Sequence, residues 1–160
     1  MVARTQAVEG LADLDRAMAE FPKATARATL RRTGLKALEP FVRSVKAKAP
    51  IDEDPKSSPG RAPGTLRDSY HAGTRLNRSQ AKAARKEGKD FSEVYAGTND
   101  PAGVQTEFGN VHQAAQPHAR PAWEETQDET LKIVGDELGK EIEKSRARLA
   151  RKAARLAAKG

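Results

Sequence analysis

Residues 121–158 read PAWEETQDETLKIVGDELGKEIEKSRARLARKAARLAA. The run predicts one long terminal helix. Pro121 suits the first helical position, where a missing N–H costs little, and Glu124, Glu125, Asp128 and Glu129 complement the positive end of a helix dipole. At 1.5 Å per residue a continuous helix over this stretch is ~57 Å long. Positions 131, 135, 138, 142, 145, 149, 152 and 156 alternate steps of four and three. Leu131, Leu138, Ile142, Leu149 and Leu156 are the apolar members of that seam, and Gly135, Ser145 and Lys152 interrupt it. Such a broken heptad predicts packing between subunits better than it predicts a two-stranded coiled coil.

The end of the same helix decides the electrostatics. The chain's 29 Lys and Arg exceed its 22 Asp and Glu by seven, and the last seventeen residues, KSRARLARKAARLAAKG, hold seven cations and no acid. The remainder is electrically balanced. At 100° per residue Lys144, Arg148, Arg151, Arg155 and Lys159 fall within ~80° of one another, opposite Ile142, Leu149 and Leu156. One face can therefore dock on protein while the other presents charge to a polyanion. That polyanion is a phosphate backbone or an acidic protein surface, and the plain alternative is a solvated helix end. No aromatic residue is interleaved, so base stacking is not expected and contact is with backbone phosphates.

Composition bounds the rest. Aromatic content is 4% and charged content 32%, which predicts a modest core whose long helices finish burying their apolar faces against other copies. Cysteine is absent, which removes disulfides and thiolate chemistry. No signal-peptide core is evident and no run approaches the ~20 apolar residues of a membrane span, so the expected address is the cytoplasm or a particle assembled there.

Working back towards the N-terminus, Gly103 to Gly109 leads into a polar loop with His112, Pro117, His118 and Pro121. Phe91 to Gly97 alternates apolar and polar, and is expected to pair antiparallel with a strand over Tyr70 to Leu76. Residues 77–90 form a basic, almost core-free insertion between those strands. Thr65 to Ser69 restarts ordered structure after the Pro- and Gly-rich loop 51–64. Leu11, Leu14, Met18 and Phe21 predict a short amphipathic helix, and Lys23 to Ala49 a second one kinked at Pro40. The expected class is α+β: two N-terminal helices on a small antiparallel sheet, then the long C-terminal helix. The expected units are a core over 1–123 and the helix 121–160 with its basic end.

Candidate chemistry is sparse. Glu107, His112 and His118 are conceivable metal ligands, but their spacing matches no zinc motif. No GxSxG elbow, P-loop or dinucleotide fingerprint is present. The reading is a chain with no catalytic residue, no metal and no cofactor. Glu107, Phe108 and Gly109 instead suit a structural corner: Phe108 to anchor the loop in the core, Gly109 to permit a turn, and Glu107 to cap or pair. Pro117 and Pro121 stiffen the approach to the last helix.

Taken in order, Ala49-Pro50, Gly64-Thr65-Leu66-Arg67-Asp68-Ser69, Glu107-Phe108-Gly109 and Pro117 to Ala122 resemble the minor head–tail connector family of long-tailed bacteriophages, also called neck or tail-completion proteins. The resemblance covers about residues 8–140 and leaves the basic end outside it. Asn110 stands where the family usually has Thr. His118 stands where it usually has Phe, so the apolar plug expected after Pro117 is missing. The resemblance implies a structural virion component without enzymatic activity, arranged as a ring of six copies, or of twelve, around the DNA channel. Its implied neighbours are connector or stopper and tail-terminator proteins; the charge of the basic end adds backbone phosphates of packaged DNA as a further expected partner, and composition gives no membrane. Two other readings stand beside it: a free-standing, nonspecific nucleic-acid-binding protein, and a tail-assembly factor absent from the finished particle.

Overall fold

The computed structural model describes residues 23–52, 60–75 and 92–158. The expected first helix over Leu11 to Phe21, residues 53–59 of the loop 51–64, the basic insertion 77–90 and Lys159 lie outside the described residues.

Pro40 has no N–H to give to the carbonyl four residues back, and the run from Lys23 splits accordingly. Helix α1 spans Lys23–Ala37 and helix α2 spans Glu39–Lys48, with Leu38 as the single joining residue and Pro40 in the first turn of α2. The kink expected at Pro40 is thus a break two residues earlier. In α1 the buried positions are Thr29, Thr33 and Ala37, and in α2 they are Phe41 and Val45, followed by Ala49 just past its end. Both sets recur every four residues, the spacing that keeps one helix face inward.

Helix α3, Thr65–Ser69, follows Gly64 and inserts Leu66 into the core. Tyr70 caps it and is itself buried, so the expected strand begins one residue later. Strands β1, His71–Gly73, and β2, Tyr95–Gly97, pair antiparallel with His71 opposite Gly97 and Gly73 opposite Tyr95. The pairing is as read from the alternation; the observed ladder is shorter. Gly34 explains how α1 meets the approach to β2. A β-carbon there would lie 2.7 Å from Val94 Cγ2, so the side-chain-free position admits Val94 directly onto the helix.

Helix α4, Ala102–Phe108, occupies the stretch read as the lead into a loop. Helix α5, Ala119–Ala157, is the long terminal helix, about 58 Å at the usual rise. The architecture is α+β, helix-rich, with a two-stranded sheet and a long C-terminal helix.

The core gathers Phe41, Val45, Ala49, Leu66, Tyr70 and Ala122, with Val42, Ala96 and Ala119 packed around it. Trp123 meets Phe41 edge to face, 5.9 Å between ring centroids. Further along α5, Thr126, Thr130, Leu138 and Ile142 are buried as α5 runs antiparallel to α2 and α1. Two of the residues expected to pack between subunits, Leu138 and Ile142, are therefore spent inside the chain. Leu131, 40% exposed, faces away from that interface. The heptad reading missed the true inward stripe because its upstream members are a small residue, Ala122, and two polar ones, Thr126 and Thr130.

Ion pairs flank the stripe in antiparallel order. Arg32 meets Glu141 at 2.7 Å, Lys36 meets Glu137 at 3.0 Å and Arg43 meets Glu129 at 3.8 Å, while Ser44 and Lys48 both bond Glu125. Each advance along α1 and α2 is matched by a near-equal retreat along α5. No described helix is long and apolar enough to cross a membrane.

Candidate functional site

The corner between α4 and α5 is built around one carboxylate. Glu107, at the end of α4, is buried, and its Oε2 accepts the N–H groups of His118 and Ala119 at 2.8 Å each. Its Oε1 accepts that of Arg120 at 3.0 Å. Pro121 has no N–H to satisfy, and Ala122 makes the first intrahelical bond, to the His118 carbonyl. Every backbone donor at the start of α5 is thus accounted for. That is why the helix begins at Ala119 and not at Pro121: the carboxylate nucleates a turn that the proline merely tolerates.

Burial by itself would raise the Glu107 carboxyl. The three backbone donors, from His118, Ala119 and Arg120, outweigh it and hold the group below the usual carboxylate range. Glu107 is ionised wherever the fold is intact near neutral pH.

His118 occupies the position of the missing apolar plug and is buried to 1% exposure. A ring can do this because both nitrogens are matched. Nδ1 lies 3.0 Å from the Gln116 carbonyl, which only accepts, so Nδ1 carries the proton. Nε2 then accepts from the Tyr70 hydroxyl at 2.7 Å. The two rings meet edge to face with centroids 5.6 Å apart. Burial, reinforced by the charges of Glu107 and Asp100, pushes the Tyr70 phenol upwards, which keeps it a donor. Loop histidines read as polar surface, and here one is core.

Phe108 corrects the expectation in the other direction. It is 66% exposed and does not anchor the loop. Glu107 turns inward to meet α5, which sends its helical neighbour outward. Val104, one turn earlier on α4, is also largely exposed, and Val111 follows at the surface. Gly109 sits between them at φ 76° and ψ 173°, with Asn110 and Gln113 bridging just beyond it. Pro117 is exposed on the same loop.

Protein-family models, curated proteins and solved structures offer no match to this chain.

At the far end of α5 the cationic stripe divides in two. Lys144 bonds Glu141 at 3.1 Å, and Glu141 is shared with Arg32; Arg146 meets Glu143 at 3.4 Å. Lys144 therefore belongs to the neutral ladder and not to the free stripe. Beyond Glu143 the sequence has no acid, and Arg148, Arg151 and Arg155 are exposed with no ion pair to any described residue. They lie on the side of α5 opposite the buried Ile142. The side chains of Leu149 and Leu156 are outside the description.

Among the described residues no group of three or more His, Cys, Asp and Glu could hold a metal ion. His71 and His112 are exposed, and both nitrogens of His118 are engaged. A cleft of about 630 Å³ opens between Ile51, Arg61, Thr65, Gln105, Gln113 and Gln116. Its cation, Arg61, is bound to Asp100, whose carboxyl is lowered chiefly by that bond. The residues that sequence reasoning missed are Tyr70 and Asp100, neither of which stands in a recognisable motif.

Proposed function

We propose that this chain is a structural subunit of a bacteriophage neck, without enzymatic activity. In this reading it forms a ring that joins head to tail, or completes the tail, around the DNA channel. The ring is assembled in the host cytoplasm and carried in the virion, six copies being favoured and twelve the alternative. The observation that carries the reading is the exposure of Phe108 with Val104 and Val111 at the corner whose residues resemble the connector family. Three large apolar side chains gathered in eight residues are costly to leave in water, and a neighbouring copy or an adjoining connector protein would cover them. The core among the described residues points the same way, since it is small and a neighbour would add to its stability.

A free-standing nucleic-acid-binding protein has no use for this apolar corner, and the corner therefore favours assembly. A tail-assembly factor shares it and differs only in being absent from the finished particle. The test has two parts. Light scattering of the purified chain should give a mass of six or twelve copies, and Phe108→Ser with Val111→Ser should reduce it to a monomer. Electron microscopy of intact particles should then place the chain at the neck. A chain that stays monomeric at every concentration and is missing from particles would end this reading.

A further inference from the structure

The structure separates two kinds of cation on α5 that the sequence presents as one stripe. Lys140, Lys144 and Arg146 each pair with an acid one turn back, Glu137, Glu141 and Glu143, and two of those acids also meet Lys36 and Arg32 of α1. Arg148, Arg151 and Arg155 come after the last acid, are exposed, and meet no carboxylate among the described residues. We infer that Arg148, Arg151 and Arg155 lie along the phosphate backbone of a nucleic acid and bind it without reading its sequence.

Three properties of this face select a phosphate backbone over an acidic protein. The first is linear density. From Arg148 to Arg155 the helix rises ~10.5 Å, and the three arginines fall within ~60° of one another around it. One strand of a duplex places a phosphate about every 3.4 Å of axis, so the same length offers about three. Charge matches charge along a line, which a patchy protein surface does not offer.

The second property is the absence of an anchor. Described residues beside the arginines are Ala147, Ala150, Ala154 and Ala157, all exposed. Protein interfaces draw their affinity from a large side chain seated in a pocket, and these alanines supply none. They do allow a backbone to approach closely. The third property is the choice of side chain. A guanidinium presents two parallel donors to a phosphate and keeps its charge at any physiological pH. No aromatic occurs after Trp123, so stacking on bases contributes nothing and the contact is indifferent to sequence.

The inference goes beyond the neck reading and does not depend on ring assembly. It is tested on the full chain with two fluorescein-labelled 30-base-pair duplexes of unrelated sequence, titrated across a salt series by anisotropy. Both duplexes should bind equally. The slope of log affinity against log salt should be about −2.7 per bound chain, a loss of about forty-fold between 50 and 200 mM, and steeper if several chains bind together. The variant Arg148→Gln/Arg151→Gln/Arg155→Gln should lose at least ten-fold in affinity at 50 mM and most of the slope. Glutamine supports a helix about as well as arginine, and unchanged circular dichroism would confirm that the fold survives.

Equal binding by the triple variant would overturn the inference, because the contact would then lie elsewhere. Binding to polyglutamate with none to either duplex would also overturn it, in favour of an acidic protein partner. Light scattering on the same samples separates the two proposals. An oligomer that ignores DNA sinks only the phosphate contact, and a monomer that binds DNA through these arginines sinks only the ring.

Discussion

Gly109 holds φ 76° and ψ 173°, a region that side chains other than hydrogen rarely enter. A β-carbon there would also sit 2.8 Å from the Ala115 nitrogen and 3.0 Å from the Gln113 oxygen, both backbone atoms that cannot rotate away. Gly109→Ala should accordingly destabilise the fold by about 1–3 kcal/mol, read as a lower urea midpoint at unchanged slope. A midpoint within error of the parent would show that the loop repacks freely. Need for a turn at Gly109 was legible, because glycine after a helix end has a local cause. The fates of Phe108 and His118 were not. Phe108 depends on which way Glu107 turns, and His118 is buried only because Tyr70, forty-eight residues away in the chain, supplies the donor for Nε2.

At the scale of elements the contact of α5 with α1 and α2 sets the molecule's tolerance to change. Thr126 gives its hydroxyl to the Ala122 carbonyl, whereas the Thr130 hydroxyl is buried without a partner among the described residues. Replacing Thr130 with Val keeps the shape and removes that unmet group, so thermal stability should rise by about 1 kcal/mol. Thr126→Val offers no such gain, and a fall for both variants would contradict the argument.

The flanking ion pairs give the interface a pH dependence. Hydrogen bonds from Lys140 and Lys36 lower the Glu137 carboxyl from its ordinary 4.5 to about 2. A lowered carboxyl stabilises the fold above its unfolded pKa, and that contribution disappears as pH falls through the folded one. Melting temperature should therefore decline between about pH 4.5 and 2, and less steeply in Glu137→Gln. Added salt should flatten the difference, because the pair is exposed. A parent and variant with superimposable profiles would remove Glu137 from the account.

For the whole molecule, a helical hairpin laced by ion pairs carries an apolar corner at one end of α5 and an unanswered cationic run at the other. If assembly covers the corner, folding and association are linked and the melting temperature must rise with protein concentration. Calorimetry over a hundred-fold concentration range checks this, and Phe108→Ser should abolish the dependence. A melting temperature that is flat for the parent would mean that the corner stays open to water.

Charge arithmetic and local pattern settled three things from the sequence alone: the long C-terminal helix, the antiparallel pairing of two short strands, and the basic end after the last acid. Each depends on neighbours in the chain, which a linear text displays. Tertiary structure alone decided that Thr126 and Thr130 face inward and that Leu138 and Ile142 are consumed within one chain. Those outcomes follow from what a residue meets across the fold. Burial depends on the surface opposite, and a threonine is content inside a helix pair where close approach matters more than apolar bulk.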